Sequence, residues 1–119
     1  MTEQPTQPGV VPYVEWHTGP RRMLTIDLRS KGTFLSSTAR DRIVPTVGID
    51  GRQYVVYWGR VFFEVPADRA VHVAVSLQDG VQASSMLVEP GEQGEGAYLD
   101  YLADFTAGRA TLVRPAPQA

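Results

Sequence analysis

The sequence contains no cysteine among its 119 residues and only two histidines. The absence of cysteine excludes disulfide bonds, thiolate metal sites and cysteine nucleophiles, and it fits a reducing compartment. Two histidines that stand far apart in the chain do not form the ligand pattern of a zinc site. We therefore expect neither a metal ion nor another cofactor.

Long apolar runs and a targeting segment are also lacking. No run approaches the roughly 20 apolar residues that a membrane-spanning helix needs. The opening MTEQPTQPGVVP carries neither the basic nor the apolar region of a signal peptide. The sequence therefore predicts a cytoplasmic protein without a membrane span.

The formal net charge of −2 gives no general attraction for nucleic acid, so no nucleic-acid partner is expected. The charge is nevertheless unevenly distributed along the chain. From Arg21 to Arg69 nine basic residues stand against five acidic ones, and from Asp79 to Asp104 six acidic residues stand against none. A GC-rich genome could produce the excess of arginine. Alternatively, such a charge distribution orients a partner protein or a second copy of the chain.

The sequence has no convincing 3.6-residue periodicity over ten or more residues. Short alternating runs of β-branched and aromatic residues dominate instead, separated by Gly, Pro and Asp. The clearest are MLTIDLRS (23–30) and AVHVAVSL (70–77). Alternation along these two strands predicts the following core residues: Leu24, Ile26, Leu28, Val71, Val73, Val75 and Leu77.

The remaining pattern completes an all-β fold. Asp50-Gly51 predicts a hairpin turn, and Gly59 predicts a bulge or bend. Seven to nine short strands that recur about every 8–12 residues predict a single antiparallel β-sandwich over residues 10–113. The Pro-rich ends, 1–9 and 114–119, are predicted to be disordered tails. The other candidate strands are 10–18, 43–49, 52–59, 60–65, 81–89, 97–103 and 109–113.

One region resembles a known module. IDG (49–51) is followed some fifteen residues later by VPADRAVHVAV (65–75). This arrangement resembles the small PEGA-type β-sandwich modules, in which a strand ends in Asp-Gly and a later Pro-x-Gly turn precedes an alternating valine strand. The chain departs from that pattern at Asp68, where glycine is expected. The resemblance covers residues 47–75 and implies an immunoglobulin-like fold with a binding role and no catalytic centre.

The histidines do not support a catalytic triad. His72 falls on the outward phase of a regular strand, and the sequence has no GxSxG motif. We expect His72 to be a half-exposed sheet residue. His17, which follows Trp16 near the end of a candidate edge strand, is predicted to lie at the surface.

The acidic stretch EPGEQGEG (89–96) does not follow the order of the ligands in a calcium-binding loop. This departure favours a solvated turn.

Neither the histidines nor the acidic stretch supports a catalytic site. We therefore expect a protein that is not an enzyme, and a small hydrolase ranks as the third hypothesis.

The aromatic side chains are the best candidates for binding. In QYVVYWG, residues Tyr54 and Trp58 share one face of a strand and Tyr57 lies on the other. Since both faces are apolar, the strand is either covered on both sides or carries an exposed patch. Exposed Trp and Tyr suit protein contacts or stacking on sugars. The candidate binding residues are Tyr54, Tyr57, Trp58, Trp16, Tyr98 and Arg60.

Two functions follow from these patterns. The first is a non-enzymatic protein-interaction or self-assembly module, with a protein partner or a weak homo-oligomer. The alternative is a carbohydrate-binding module that uses Trp58, Tyr57 and Trp16 as stacking platforms. We expect weak self-association through the late strands 97–103 and 109–113, whose edges look poorly protected. In that contact the Arg-rich region of one copy faces the acidic 89–104 segment of the other.

Overall fold

The computed structural model describes residues 9–31, 43–77, 83–91, 95–105 and 108–115. Within these ranges the chain forms nine strands and no helix, so the all-β prediction is confirmed. No helix in this part of the chain could therefore cross a membrane. Apart from Gly9, Arg114 and Pro115, the predicted tails lie outside the described residues. The strands are β1 (Val10–Val11), β2 (Arg21–Lys31), β3 (Pro45–Ile49), β4 (Arg52–Val55), β5 (Gly59–Pro66), β6 (Val71–Leu77), β7 (Ser84–Val88), β8 (Ala97–Asp104) and β9 (Arg109–Val113).

The strands form two sheets. One has five strands in the order β1-β5-β2-β8-β9, and the other has four in the order β4-β3-β6-β7. The four-stranded sheet is antiparallel, as predicted. In the five-stranded sheet β2 runs parallel to β8, and β1 runs parallel to β5. The prediction of an antiparallel sandwich is therefore wrong for this sheet, because alternation within a strand does not specify the direction of a distant partner.

The core lies between the two sheets. The seven side chains predicted to be buried are at most 1% exposed, which confirms their assignment. Apolar side chains from both sheets belong to one buried cluster, so the sheets pack against each other over a shared core. Full burial of each such side chain contributes about 1.5–3 kcal/mol, so the two alternating strands supply a large favourable term for folding.

The Asp50-Gly51 hairpin forms as predicted. Both residues have positive φ angles, 48° and 90°, which the two-residue turn requires. The Asp50 N–H donates to the His72 carbonyl at 2.9 Å, and the His72 N–H donates to Asp50 Oδ1 at 2.9 Å. The turn between β3 and β4 is thereby tied to β6. Gly59, with φ of 117°, is the predicted bend and begins β5.

The candidate strand 52–59 is a strand only at Arg52–Val55, and Gly59 begins the next strand. Two further strand predictions need correction. The candidate strand 10–18 is a strand only at Val10–Val11, because Pro12 has no N–H to continue the ladder. The second correction concerns the late strands. β8 lies inside the sheet between β2 and β9, so it presents no free edge, whereas β9 is an edge strand.

Candidate functional site

The aromatic segment after the hairpin is divided between core and surface. Tyr54 and Trp58 are half-buried and pack against the core. The Tyr54 ring lies 5.6 Å from the Phe63 ring, and Trp58 Nε1 donates to the Ile43 carbonyl at 2.9 Å. The two side chains therefore contribute mainly to packing, and Trp58 does not offer a free stacking face of the kind that the carbohydrate hypothesis required.

The other four candidate residues are exposed but do not form one group. Tyr57 is 55% exposed and lies in the connection between β4 and β5, and Trp16 is 83% exposed and lies in the segment before β2. Tyr98 and Arg60 stand instead on the two strands that flank β2 in the five-stranded sheet, and both point away from the core. Strand pairing thus places Tyr98 and Arg60 on one face, with β2 between them.

An aromatic row crosses this outer face. Thr25 of β2 pairs with Phe62 of β5 on one side and with Tyr98 of β8 on the other. Thr25 points away from the core but is only 7% exposed. Tyr98 itself is 59% exposed. Phe62 is half-buried, so Tyr98 provides most of the exposed aromatic surface of this row.

A charged row lies next to the aromatic one. Arg60, Asp27 and Asp100 occupy matching positions on β5, β2 and β8. Arg60 donates through Nε to Asp27 Oδ1 at 3.4 Å and through Nη2 to Asp27 Oδ2 at 3.2 Å. The hydrogen bonds and charge of Asp27 raise the pKa of Arg60, and the charge of Asp100 adds to the effect. In solvent such a pair adds little stability, but it orders the guanidinium.

Apolar side chains border the two rows. Met23 at the start of β2 is 36% exposed, and Val113 of β9, which pairs with Asp100, is 49% exposed. We call the whole surface the outer patch. Its members are Met23, Asp27, Arg60, Phe62, Tyr98, Asp100 and Val113.

The histidines lie away from the outer patch. His72 is exposed on the outward face of β6, in agreement with its assignment as a sheet residue. The prediction for His17 is wrong, because its imidazole is only 9% exposed. His17 Nε2 lies 3.2 Å from Asp68 Oδ1, and its ring meets the Tyr13 ring edge-on. Asp68 comes from a distant turn, so the sequence around His17 could not indicate this burial.

A second polar cluster holds the segment before β2 in place. Tyr13 donates its hydroxyl to Asp50 Oδ2 at 2.8 Å and accepts a hydrogen bond from Arg69. Burial raises the pKa of Tyr13, and the hydrogen bond to Asp50 raises it further. Arg21 donates to the Tyr13 carbonyl and to Glu64, each at 3.1 Å. Because these groups satisfy one another, we interpret the cluster as a structural tie between the two sheets.

No family model, curated protein or solved structure matches the chain. The resemblance of residues 47–75 to PEGA-type modules therefore stays a prediction. Among the residues that the structure describes, no three His, Asp or Glu side chains lie together so that they could hold a metal ion. The fold defines an all-β protein of two packed sheets, and the outer patch is its best-defined candidate site.

Sequence reasoning identified two members of the outer patch and missed the others. Alternation puts Asp27 on the outward face of its strand, but its partners Arg60 and Asp100 are fixed only by strand register. Phe62 was hidden because it stands directly before the buried Phe63 in the sequence. Alternation along each strand could have assigned Asp27 and Phe62 to the outward face. Their grouping also requires the order of the strands in the sheet.

Proposed function

We propose that this protein is a non-enzymatic β-sheet module that associates with a second copy of itself through the outer patch. The observation that carries the proposal is the combination of exposed aromatic and apolar side chains with an ordered row of charges on one sheet face. A monomeric sheet needs only polar side chains on its solvated face. The outer patch has the composition of a contact surface.

The charged row is suited to a symmetric contact. Its cation, Arg60, stands on β5, and the anion Asp100 stands two strands away on β8. Neighbouring strands are about 4.8 Å apart, so the two positions are separated by roughly 10 Å. A twofold axis through the middle of the row places each Arg60 opposite Asp100 of the other copy. The two Asp27 carboxylates then meet near the axis, and each is already paired with the Arg60 of its own copy. Such an arrangement satisfies the self-complementarity that a twofold dimer interface requires.

The apolar and charged members have different roles in this contact. Removal of Phe62, Tyr98, Met23 and Val113 from water supplies the favourable free energy. The ion pairs set the orientation and make the contact sensitive to salt. We therefore expect a weak dimer that dissociates further as the salt concentration rises.

Sedimentation equilibrium of charge-reversed variants tests the proposal. Arg60→Glu and Asp100→Arg each place like charges opposite one another, so each variant alone is expected to be monomeric. An equimolar mixture of the two variants restores ion pairs across the interface, because the introduced glutamate of one variant faces the introduced arginine of the other. The mixture is therefore expected to regain the dimer. Loss of the internal Asp27 pair cannot explain such a recovery.

Arg52→Glu provides the matched control. Arg52 is an exposed arginine of β4 whose Nε lies 2.8 Å from Glu15 Oε2, and it belongs to the other sheet. This variant is expected to dimerise like the unaltered protein. A strict monomer at about 100 µM in both low and high salt would overturn the proposal, since a dimer with a Kd near or below that concentration would be substantially populated.

A carbohydrate is the second candidate ligand for the same surface. The exposed Tyr98 ring lies one row from Asp100 and Arg60, and this combination of a stacking ring with hydrogen-bonding groups favours sugar binding. Binding on a glycan array that Tyr98→Ala abolishes, together with a monomeric protein, would favour this candidate. A monomer that binds no glycan would shift the proposal to a different protein partner.

A further inference from the structure

Arg22 lies on the core side of β2. It has the same inward phase as Leu24 and Ile26, and it pairs with Val65 of β5. Only 9% of the surface of Arg22 is exposed to solvent. Most arginine side chains in proteins remain largely in water. The sequence therefore places a cation at the end of the apolar face of the sheet.

The guanidinium of Arg22 is incompletely satisfied. One nitrogen, Nη2, donates to the main-chain carbonyl of Glu89. The buried Nε has no hydrogen-bond partner, and no carboxylate among the described residues forms an ion pair with Arg22. Burial of a charge without a counter-charge is unfavourable. Packing of the core alone therefore does not explain the position of the Arg22 guanidinium.

The chain is built closely around this side chain. Gly91 donates its N–H to the Ala67 carbonyl at 2.8 Å, which holds the segment after β7 against the turn after β5. A Cβ at Gly91 would overlap the Arg22 guanidinium. Glycine at this position lets the main chain pass directly over the cation without moving the guanidinium.

Arg22 also lines a cavity of about 490 Å³. A second guanidinium, that of Arg114, lines the same space, and Tyr98 forms part of its wall. Glu89 and Glu95 contribute to the lining as well, but both residues are exposed, so their carboxylates can extend into water. The cavity therefore combines one buried cation with a second cation at its exposed side.

We propose that this cavity binds a small oxyanion, a carboxylate or a phosphate, between Arg22 and Arg114. The planar fork of N–H donors in a guanidinium matches the oxygens of both groups. A bound anion would supply the counter-charge that the described residues do not give Arg22. Because Glu89 and Glu95 reduce the positive potential, we expect Kd values on the order of 1 mM. The cavity shares Tyr98 with the outer patch, but Arg22 and Arg114 are not members of that patch.

Titration by NMR with sodium phosphate and, separately, sodium acetate tests the site, with sodium chloride at equal ionic strength as the reference. Saturable shifts of the Gly91 and Gly96 amide signals are expected with at least one anion and not with chloride. The two arms distinguish a phosphate site from a carboxylate site. Arg114→Gln is expected to weaken binding about tenfold, whereas Arg109→Gln, an exposed arginine of β9 outside the cavity lining, leaves it unchanged.

Thermal unfolding of Arg22→Met separates a ligand site from a purely structural arginine. We expect this variant to lose the response to anions and to unfold at a higher temperature than the unaltered protein in anion-free buffer, since an uncompensated buried charge is removed. If Arg22→Met does not fold, the exposed Arg114→Gln variant still decides the question. Binding should persist in the monomeric Arg60→Glu variant, so the two proposals can fail independently. Absence of saturable shifts with both anions, or equal affinities for Arg114→Gln and Arg109→Gln, would overturn the proposal.

Discussion

The outer faces of the two sheets differ in the size of their side chains. In the four-stranded sheet, the outward positions of the inner strands hold mostly small residues, and the larger Val55 and Leu87 occur only on the edge strands β4 and β7. In the five-stranded sheet, the corresponding surface carries the outer patch with its aromatic and apolar side chains. The small outward residues of the four-stranded sheet are Thr46, Gly48, Ala74, Ser76 and Ser85.

This difference distinguishes side chains that are required for folding from side chains that could form a contact surface. Both sheets bury apolar inner faces in the same core, so neither needs large apolar side chains on its outer face in order to fold. The four-stranded sheet shows that small side chains are sufficient there. We therefore propose that the larger side chains of the outer patch serve the dimer contact rather than stability.

The largest expected effect distinguishes the inner and outer faces of one strand. Phe63 is 1% exposed in the core, and Phe62 beside it belongs to the outer patch. We expect Phe63→Ala to lower the free energy of unfolding by about 3–5 kcal/mol. Phe62→Ala should lower it by about 1 kcal/mol but abolish dimerisation. Urea denaturation measures both, and equal losses would show that the outer patch is a second core layer.

Alkaline pH should expose the difference between the inner and outer tyrosines of β8. Tyr101 is fully buried, and burial raises its pKa from 10.0 to about 12. Above pH 10 the unfolded chain releases this proton while the folded chain retains it. The stabilising contribution of neutral Tyr101 is therefore complete below pH 10 and is lost as the pH rises toward 12, by about 2–3 kcal/mol.

Unfolding free energies measured between pH 9 and 12 check this expectation. Tyr101→Phe should show a smaller decline than the unaltered protein. Some decline will remain, because the raised pKa of Tyr13 acts in the same direction. Leu99→Val, which alters the same inner face without removing an ionisable group, should decline like the unaltered protein. Identical slopes for all three proteins would contradict the assignment to Tyr101.

The four-stranded sheet should depend on its hairpin turn more than on its outer face. The Asp50 carboxylate accepts hydrogen bonds from the His72 N–H and from the Tyr13 hydroxyl. We expect Asp50→Ala to cost about 1–3 kcal/mol, since both donors lose their partner. Asp50→Asn keeps an acceptor and tolerates positive φ, so it should cost less. Equal losses for the two variants, measured by urea denaturation, would contradict this role of the side chain.

The smallest effect is expected on the face of small residues. Ser85→Ala, at an exposed position of β7, should change the free energy of unfolding by no more than about 0.5 kcal/mol and leave dimerisation intact. Tyr98→Ser on the outer patch should also have a small effect on stability but abolish the dimer. If Ser85→Ala impaired dimerisation as Tyr98→Ser does, the two faces would no longer differ in function.

The local parts of the fold could be predicted from the sequence. Alternation identified β2 and β6 and their buried residues, and Asp50-Gly51 identified the hairpin. The parallel pairing of β2 with β8 could not be predicted, because it joins strands that are remote in the chain. The burial of His17 depends on Asp68, which belongs to another turn. The sequence around His17 therefore could not predict it either.

The candidate site was less predictable than the fold. The residue types of Tyr98 and Arg60 made them binding candidates, but their placement on one face follows from the position of β2 between β5 and β8. Arg22 was overlooked even though the sequence contained its signal. It continues the inward phase of Leu24 and Ile26, so a charged residue at a core position could have been noted from alternation alone.

The central position of β2 also has a consequence for synthesis of the chain. β2 is made early, but the partner that covers one of its edges, β8, is made only after β3 to β7. The pairing of Leu24 with Ala97 requires closure of a long loop, which slows folding. Until β8 has emerged from the ribosome, an edge of β2 with its Leu and Ile side chains is open to other chains. The nascent protein is therefore most prone to aggregation during this interval.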